Sequence, residues 1–112
     1  MKITTRKTNH ITRRLVAKPF SEVVYQKNAV LYRVMANPKR LHILNLLAQK
    51  EMTVAELAEE LGCRMPNVSQ HLTLLRSNRF VEARREGTNI FYRITDARIV
   101  EPCQIFKELH GL

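Results

Sequence analysis

Residues 64–77 combine residue types and a spacing that suit hydrogen bonding to the edges of DNA bases. At 3.6 residues per helical turn, four uncharged residues form one face, here called the recognition face, with Asn67 and Ser69 beside it: Pro66, Gln70, Thr73 and Ser77. Amide and hydroxyl groups donate and accept hydrogen bonds, and a face without carboxylates does not repel phosphate groups. A helix exposed only to solvent usually carries Lys and Glu instead. The segment is therefore predicted to be a DNA-recognition helix.

Further candidate contacts flank this face or lie in a predicted β-hairpin. The hairpin would place Arg84 and Arg85 close to its tip, where guanidinium groups can bind phosphates. The predicted DNA-binding residues are Arg64, Pro66, Asn67, Ser69, Gln70, His71, Thr73, Arg84, Arg85, Thr88 and Asn89.

The recognition helix needs a start and a buried side. Pro66 has a preset φ and no amide hydrogen, and it disfavours the α conformation at Met65, so the helix is predicted to begin there. Its core-facing stripe follows the i, i+4, i+7 spacing and consists of Val68, Leu72 and Leu75.

The preceding helix is marked at both ends. Thr53 and Glu56 have the spacing of a capping box, and Gly62 is predicted to end the helix as a left-handed residue. Because only a few residues separate Gly62 from Met65, the two helices are predicted to form a helix-turn-helix.

The remaining segments predict three more helices and a hairpin. A helix follows Ser21 and runs to about residue 35, and a nearly apolar central helix begins at Asn37-Pro38. From residue 81 the apolar period changes from 3.6 to 2, with a turn at Gly87-Thr88. Asp96 caps a short turn, and a last helix spans residues 102–109. The predicted fold class is mainly α with a β-hairpin wing, a winged helix-turn-helix. It is expected to be dimeric, because a single copy would expose the apolar faces of its first and last helices.

Composition narrows the class of protein. The 112 residues suit one domain, and 19 Lys+Arg against 10 Asp+Glu give a net charge of +9. A basic domain of this size most often binds nucleic acid, with ribosomal association and acidic lipid surfaces as alternatives. The sequence has 3 glycines, no phosphate-binding glycine loop and no grouping of nucleophile, base and orienting residue, so we expect neither an enzyme nor a cofactor.

Location and domain organisation follow from the same composition. No apolar run approaches the roughly 20 residues of a membrane span, no signal-peptide pattern follows the basic N-terminus, and the two cysteines lack a paired pattern. A cytoplasmic protein without membrane contact is expected. Residues 1–20 carry six basic residues and no acid, which predicts a flexible basic arm ahead of a DNA-binding and dimerisation domain at 21–112. The alternative is that residues 1–20 form an inert tail.

Several stretches together resemble the ArsR/SmtB family of bacterial repressors. They are residues 41–47, 53–58, 67–72 (Asn-Val-Ser-Gln-His-Leu) and 84–87 (Arg-Arg-Glu-Gly), and the resemblance covers about residues 25–110. The resemblance implies a winged helix-turn-helix homodimer that pairs through its first and last helices. It also implies a repressor that binds an operator palindrome in double-stranded DNA and leaves it when an effector binds.

The metal sites of that family are not matched. Where arsenic and cadmium sensors carry two cysteines, this chain has Thr53 and Ala55, which cannot bind a soft metal. Where zinc and nickel sensors carry a histidine two residues after an aspartate, Asp96 is followed by Arg98, and a guanidinium cannot ligate a metal. We therefore predict no metal site, and the effector is not identified.

Cys63 and Cys103 are the candidate redox-sensing residues. Cys63 precedes the recognition helix, where it would be either a small buried hydrophobic residue or a reactive thiolate stabilised by the helix N-terminus and Arg64. Cys103 lies at the start of the last helix. Thiol-based members of the family pair two cysteines, and Asn45 lies where the first of them would be.

The expected function is that of a sequence-specific DNA-binding repressor. A winged-helix module that binds protein or RNA is the alternative. A protein-binding module should carry apolar or acidic residues on the recognition face, and an RNA-binding module should expose aromatic residues, for which only Phe91 and Tyr92 are available.

Overall fold

The computed structural model describes residues 19–112 and consists of five α-helices and a two-stranded hairpin. The elements in chain order are α1 (Glu22–Met35), α2 (Pro38–Leu47), α3 (Val54–Leu61), α4 (Met65–Ser77), β1 (Val81–Glu86), β2 (Asn89–Ile94), a 3-10 turn (Ala97–Val100) and α5 (Glu101–Leu109). This is the predicted winged helix-turn-helix, with the hairpin β1–β2 as the wing. Residues 1–18, which carry all six basic residues of the predicted arm, lie outside the described part. No helix within residues 19–112 is long and apolar enough to cross a membrane.

The described part of the chain divides into two units, residues 19–30 and residues 31–112. In the first unit, α1 begins at Glu22, and the carbonyl of Ser21 accepts the amide of Val24 at 3.1 Å. The amide of Phe20 donates to the Tyr25 hydroxyl at 3.0 Å. The second unit contains the end of α1, the helices α2 to α5 and the wing.

A single apolar core holds the second unit together. The predicted stripe of α4 is confirmed, because Val68, Leu72 and Leu75 are each at most 1% exposed. Burying a side chain of this size contributes about 1.5–3 kcal/mol. The other buried core residues are Ile43, Leu44, Leu47, Met52, Leu57, Ala58, Leu61, Phe80 and Val81.

Local capping interactions define the helix ends that the sequence predicted. The Asn37 side chain accepts the amide of Arg40 at 3.1 Å, with Pro38 following it in the first turn of α2. Thr53 and Glu56 form the reciprocal capping box of α3. Gly62 ends α3 with φ +64°, a left-handed conformation that glycine adopts without a Cβ clash.

The wing is joined to the helical core by backbone hydrogen bonds. Its strands pair from Val81–Ile94 to Glu86–Asn89, so Gly87 and Thr88 form a two-residue turn. Tyr92 and Met52 exchange two hydrogen bonds, of 3.1 and 2.8 Å, which tie β2 to the connector between α2 and α3. Neither of the two wing aromatics is fully exposed: Tyr92 packs against the core, and Phe91 is half-buried.

The corner between α4 and the wing is unusual in its backbone. Arg79 has φ +63°, the one left-handed conformation of a residue other than glycine in residues 19–112. The chain around it is heavily hydrogen-bonded: the Thr95 hydroxyl donates to the Arg79 carbonyl at 2.9 Å, and the Phe80 amide donates to the Leu75 carbonyl at 2.9 Å. These bonds hold a conformation that an L-residue adopts at a cost of about 1–2 kcal/mol.

The last helix packs incompletely on the unit. Asp96 caps the 3-10 turn as predicted, its carboxylate accepting the Arg98 amide at 2.9 Å, and Pro102 lies in the first turn of α5. No residue of α5 is buried, and its apolar side chains are largely exposed: Ile105 by 52%, Phe106 by 58% and Leu109 by 73%.

Candidate nucleic-acid interface

The recognition face of α4 is open to solvent. Arg64 precedes the helix in an extended conformation with φ −78° and forms no side-chain cap. The predicted contact residues of this region are exposed, apart from the half-buried His71: Arg64, Pro66, Asn67, Ser69, Gln70 and Thr73. They occupy the first turns of α4, opposite and beside the buried stripe.

The polar groups on this face differ in their freedom to bind a ligand. The Thr73 hydroxyl donates to the Ser69 carbonyl at 2.9 Å, and the Ser77 hydroxyl donates to the Leu74 carbonyl at 3.0 Å. Within residues 19–112 the side-chain amides of Asn67 and Gln70 have no hydrogen-bond partner. An amide presents both donors and an acceptor, which is the combination that recognises adenine bidentately. Asn67 and Gln70 are therefore the side chains of this region whose hydrogen-bonding groups are unused within the described residues.

His71 lies at the edge of this surface and contacts α2. The Nη1 atom of Arg40 is 3.3 Å from its Nδ1 atom. The pKa of His71 is lowered from its ordinary value, first by partial burial and then by the positive charges of Arg40 and Lys39. The imidazole is accordingly neutral near pH 7.

The sequence did not predict the contacts of two basic residues of α2, Lys39 and Arg40. Arg40 Nε donates to the carbonyl of Val34 in α1 at 2.6 Å, and Lys39 Nζ donates to the carbonyl of Leu61 at the end of α3 at 3.4 Å. A sequence signal existed for Arg40, because the buried Leu44 and Leu47 follow it at i+4 and i+7. A cation at the head of such an apolar stripe needs acceptors at the core boundary.

The two arginines of the wing are in different environments. Arg84 forms ion pairs with Glu51 and Glu86, and its guanidinium carbon lies 5.0 Å from the centroid of the Phe91 ring. The hydrogen bonds that Arg84 donates to Glu86 and Glu51 raise the pKa of Arg84. Arg85 points to the other face of the hairpin and has no ion pair among the described residues. Thr88 and Asn89 are exposed at the hairpin tip.

The two cysteines are free thiols on separate elements. Cys63 is half-buried between α3 and α4, packs against the core, and has its Sγ atom 3.7 Å from the Leu61 carbonyl. Cys103 in α5 has its Sγ atom 3.6 Å from Asn45 Nδ2 of α2. Cys103 also lines an open apolar cleft of about 310 Å³ in the second unit. Within residues 19–112, no group of three or more His, Cys, Asp or Glu side chains could hold a metal ion.

Comparisons of sequence place this chain among bacterial and archaeal regulators. Residues 37–83 match the family described as "Bacterial regulatory protein, arsR family". The regulator KmtR of Mycobacterium tuberculosis is 46% identical over 69 residues, which are 62% of this chain and 53% of that protein. The uncharacterized regulator MJ1325 of Methanocaldococcus jannaschii is 40% identical, over 76% of this chain and 97% of that protein. A biofilm growth-associated repressor of Xylella fastidiosa is 36% identical, over 82% of this chain and 76% of its own.

Solved structures with the same fold support the comparison. The homodimeric winged helix-turn-helix DNA-binding domain of a possible ArsR-family regulator from Mycobacterium bovis has a TM-score of 0.71 and 36% identity, covering 81% of this chain and 90% of that one. Reduced HlyU from Vibrio cholerae has a TM-score of 0.69 and 32% identity, covering 81% and 96%.

These matches confirm the resemblance and the prediction that the chain is not an enzyme, because the family consists of transcriptional regulators. They span the helix-turn-helix, which carries the recognition face. The chain belongs to the ArsR family of winged helix-turn-helix transcriptional regulators.

Proposed function

We propose that this protein is a sequence-specific repressor that binds an operator palindrome in the cytoplasm. The observation that carries the proposal is the exposed recognition face of α4, where the amides of Asn67 and Gln70 are unpartnered within the described residues and no carboxylate is present. A net charge of +9 favours binding to the phosphate backbone, and the amides supply base discrimination.

The proposed form on DNA is a homodimer. The exposed apolar residues of α5 and the 63% exposed Tyr32 at the end of α1 form surfaces that monomers seldom leave uncovered. The related domain from Mycobacterium bovis is homodimeric. Two-fold symmetry would place two copies of α4 one DNA turn apart, roughly 34–36 Å, on the half-sites of a palindrome.

The dimer can be tested separately from DNA binding. Phe106→Glu places a charge on the exposed apolar side of α5. We therefore expect the dimer dissociation constant, measured by sedimentation equilibrium, to increase by at least about tenfold. Ile90→Glu makes the same chemical change on the wing and should leave the dimer intact. A monomeric wild type at micromolar concentration would overturn the proposal.

Operator binding is tested by footprinting the DNA that flanks the protein's own gene. A symmetric protected region with two half-sites is expected, and competition with unrelated duplex should leave it protected. A protein that binds RNA or another protein, while protecting no duplex in a sequence-dependent way, would be the interaction module considered above.

The proposed route of release from DNA is chemical modification of a thiol. Cys63 lies next to the start of α4, and Cys103 contacts Asn45 of α2, so modification of either would disturb an element that holds the recognition helix or the dimer. Cys63→Ser and Cys103→Ser proteins should bind DNA, and one of them should no longer respond to a thiol oxidant. If iodoacetamide labels neither cysteine in the folded protein, both are packing residues and the effector acts elsewhere.

A further inference from the structure

A single guanidinium links three helices beside the recognition face. Arg40 belongs to α2, its Nε atom donates to the Val34 carbonyl of α1 at 2.6 Å, and its Nη1 atom lies 3.3 Å from His71 Nδ1 in α4. The first bond fixes one edge of the guanidinium, and the planar group then directs Nη1 at the imidazole.

This geometry determines the protonation of His71. A guanidinium has only donors, so Nδ1 must be the acceptor, and in the neutral imidazole the proton then resides on Nε2. Among residues 19–112 no other hydrogen bond reaches the imidazole, and no fully buried side-chain nitrogen lacks a partner, so Nε2 keeps some contact with solvent.

We infer that Arg40 is a positioning residue for DNA recognition, which holds His71 so that its Nε2–H group donates a hydrogen bond to an acceptor on the operator. The inference rests on the proposed function. Two kinds of acceptor share the required chemistry: a base atom in the major groove (purine N7, guanine O6 or thymine O4), and a phosphate oxygen beside it. The lowered pKa of His71 agrees with this arrangement, because it keeps the imidazole neutral and Nδ1 able to accept.

Two amide substitutions distinguish a hydrogen-bond donor at Nε2 from one at Nδ1. The amide nitrogen of Gln can take the place of Nε2–H, whereas the shorter Asn side chain reaches only the position of Nδ1. His71→Gln, which keeps a donor but lacks the acceptor that Arg40 contacts, should therefore lose less affinity for the operator than the Asn and Ala variants. His71→Asn and His71→Ala should each lose about two- to tenfold, the range of one hydrogen bond. Equal affinities for the Gln and Asn variants would overturn the inference.

Substitution of Arg40 tests the positioning role. Arg40→Met keeps the aliphatic stem but removes all donors, and Lys39→Met removes the same charge from the neighbouring residue, which makes no hydrogen bond to His71. After correction for the lost charge by means of Lys39→Met, Arg40→Met should lose operator affinity by a factor no larger than that of His71→Ala, because the imidazole donor is still present but no longer held. The two losses should not add in the double variant, because they remove the same contact. Additive losses would mean that Arg40 acts on its own.

A spectroscopic signature distinguishes positioning from general support of the fold. The imidazole nitrogens of His71 should show an unprotonated, hydrogen-bonded Nδ1 and a protonated Nε2 in wild type, and the Nδ1 signal should change in Arg40→Met while the fold is retained. A proton on Nδ1 in the wild type, or an unchanged Nδ1 signal in Arg40→Met, would refute the inference.

Chemically modified operator DNA identifies the acceptor of the His71 hydrogen bond. If it is a base, one modification that removes the accepting atom should abolish the difference between wild type and His71→Ala: a 7-deazapurine for N7, 2-aminopurine in place of guanine for O6, or 5-methyl-2-pyrimidinone in place of thymine for O4. If it is a phosphate, one neutral methylphosphonate should do so. If neither removes the difference, His71 does not donate to DNA. Should Gln70→Ala still change base preference while every His71 variant binds like wild type, this inference fails and the proposed function stands. If the wild type itself shows no sequence-specific binding to duplex DNA, the proposed function fails.

Discussion

The Nε atom of Arg84 lies 2.9 Å from Oε1 of Glu51, so an ion pair joins the wing to the connector between α2 and α3. The adjacent residue, Met52, pairs with Tyr92 through two backbone hydrogen bonds. The wing is thus attached to the connector by one ion pair and two backbone hydrogen bonds. Arg84, which the sequence suggested as a phosphate ligand, is already occupied by carboxylates.

The two wing arginines should consequently differ in their effect on DNA binding. Arg85 has no ion pair in the described part of the chain, so Arg85→Gln should weaken binding to all sequences alike and reduce the salt slope by about one unit. Arg84→Gln should affect DNA binding mainly because it leaves Glu51 and Glu86 without the cation that pairs with them.

A double-mutant cycle checks this difference. Glu51→Gln should be coupled to Arg84→Gln and independent of Arg85→Gln when operator affinity is measured for all single and double variants. Coupling to Arg85 instead would show that the ion pair exchanges between the two arginines in solution.

Gln70 should determine base preference at one position of each half-site. Because its amide is unpartnered within residues 19–112, Gln70→Ala should cost about 1–3 kcal/mol against the preferred base and little against the others. Selection from randomised operators measures the change. Gln49→Ala, an equivalent truncation in the connector after α2, should leave the selected sequence as in wild type. An unchanged base preference in Gln70→Ala would mean that a residue other than Gln70 makes the base contact.

Stability should fall as the pH is lowered because of His71. Its pKa in the folded protein lies below the ordinary value of 6.5. As the pH falls, the unfolded chain therefore binds a proton before the folded chain does, and this protonation stabilises the unfolded chain. The free energy of unfolding should decrease as the pH falls through about 6.5, and this decrease should end below the pKa of the folded state. The charged groups that lower this pKa, Arg40 and Lys39, both lie on α2.

Thermal unfolding of matched variants measures this contribution. Between about pH 7.5 and about pH 5.5, His71→Gln should lose less stability than wild type. His42→Gln, which changes an exposed histidine of α2, should follow the wild type. Identical pH profiles for wild type and His71→Gln would contradict the prediction.

The basic N-terminal segment should add affinity through charge alone. Residues 1–18 contain six basic residues and no acid, and each phosphate they neutralise should contribute about 0.9 to the salt slope. Deleting them should lower the slope while the melting temperature stays nearly constant. A full-length variant with the six residues changed to Gln should behave like the deletion. An unchanged slope in both would identify the segment as an inert tail.

Local signals in the sequence predicted most of the fold. The capping box at Thr53, the left-handed Gly62 and the two-residue turn at Gly87-Thr88 each depend on neighbours within a few residues, and the structure confirms all three. The buried stripe of α4 follows from periodicity alone and is confirmed as well.

Contacts between residues far apart in sequence could not be predicted in this way. Arg40 and His71 are 31 residues apart, and Arg84 and Glu51 are 33 apart. Polar side chains such as these have no periodicity that indicates a partner, because their positions depend on how the helices pack. The sequence therefore predicted the exposed and buried sides of α4, but not that Arg84 forms ion pairs or that Arg40 lies beside His71.

The hydrogen-bonded corner at Arg79 has a consequence for the DNA itself. Because this corner holds a left-handed residue in place with several bonds, α4 and the wing have a fixed relative direction. On the proposed operator, a constrained corner limits how far the protein can adjust the distance between α4 in the groove and the wing. We therefore expect the duplex to bend or change its groove width instead, and flexible steps such as TA deform at lower cost than stiff A-tracts. Operators should therefore be selected partly for deformability, at base pairs that no side chain contacts.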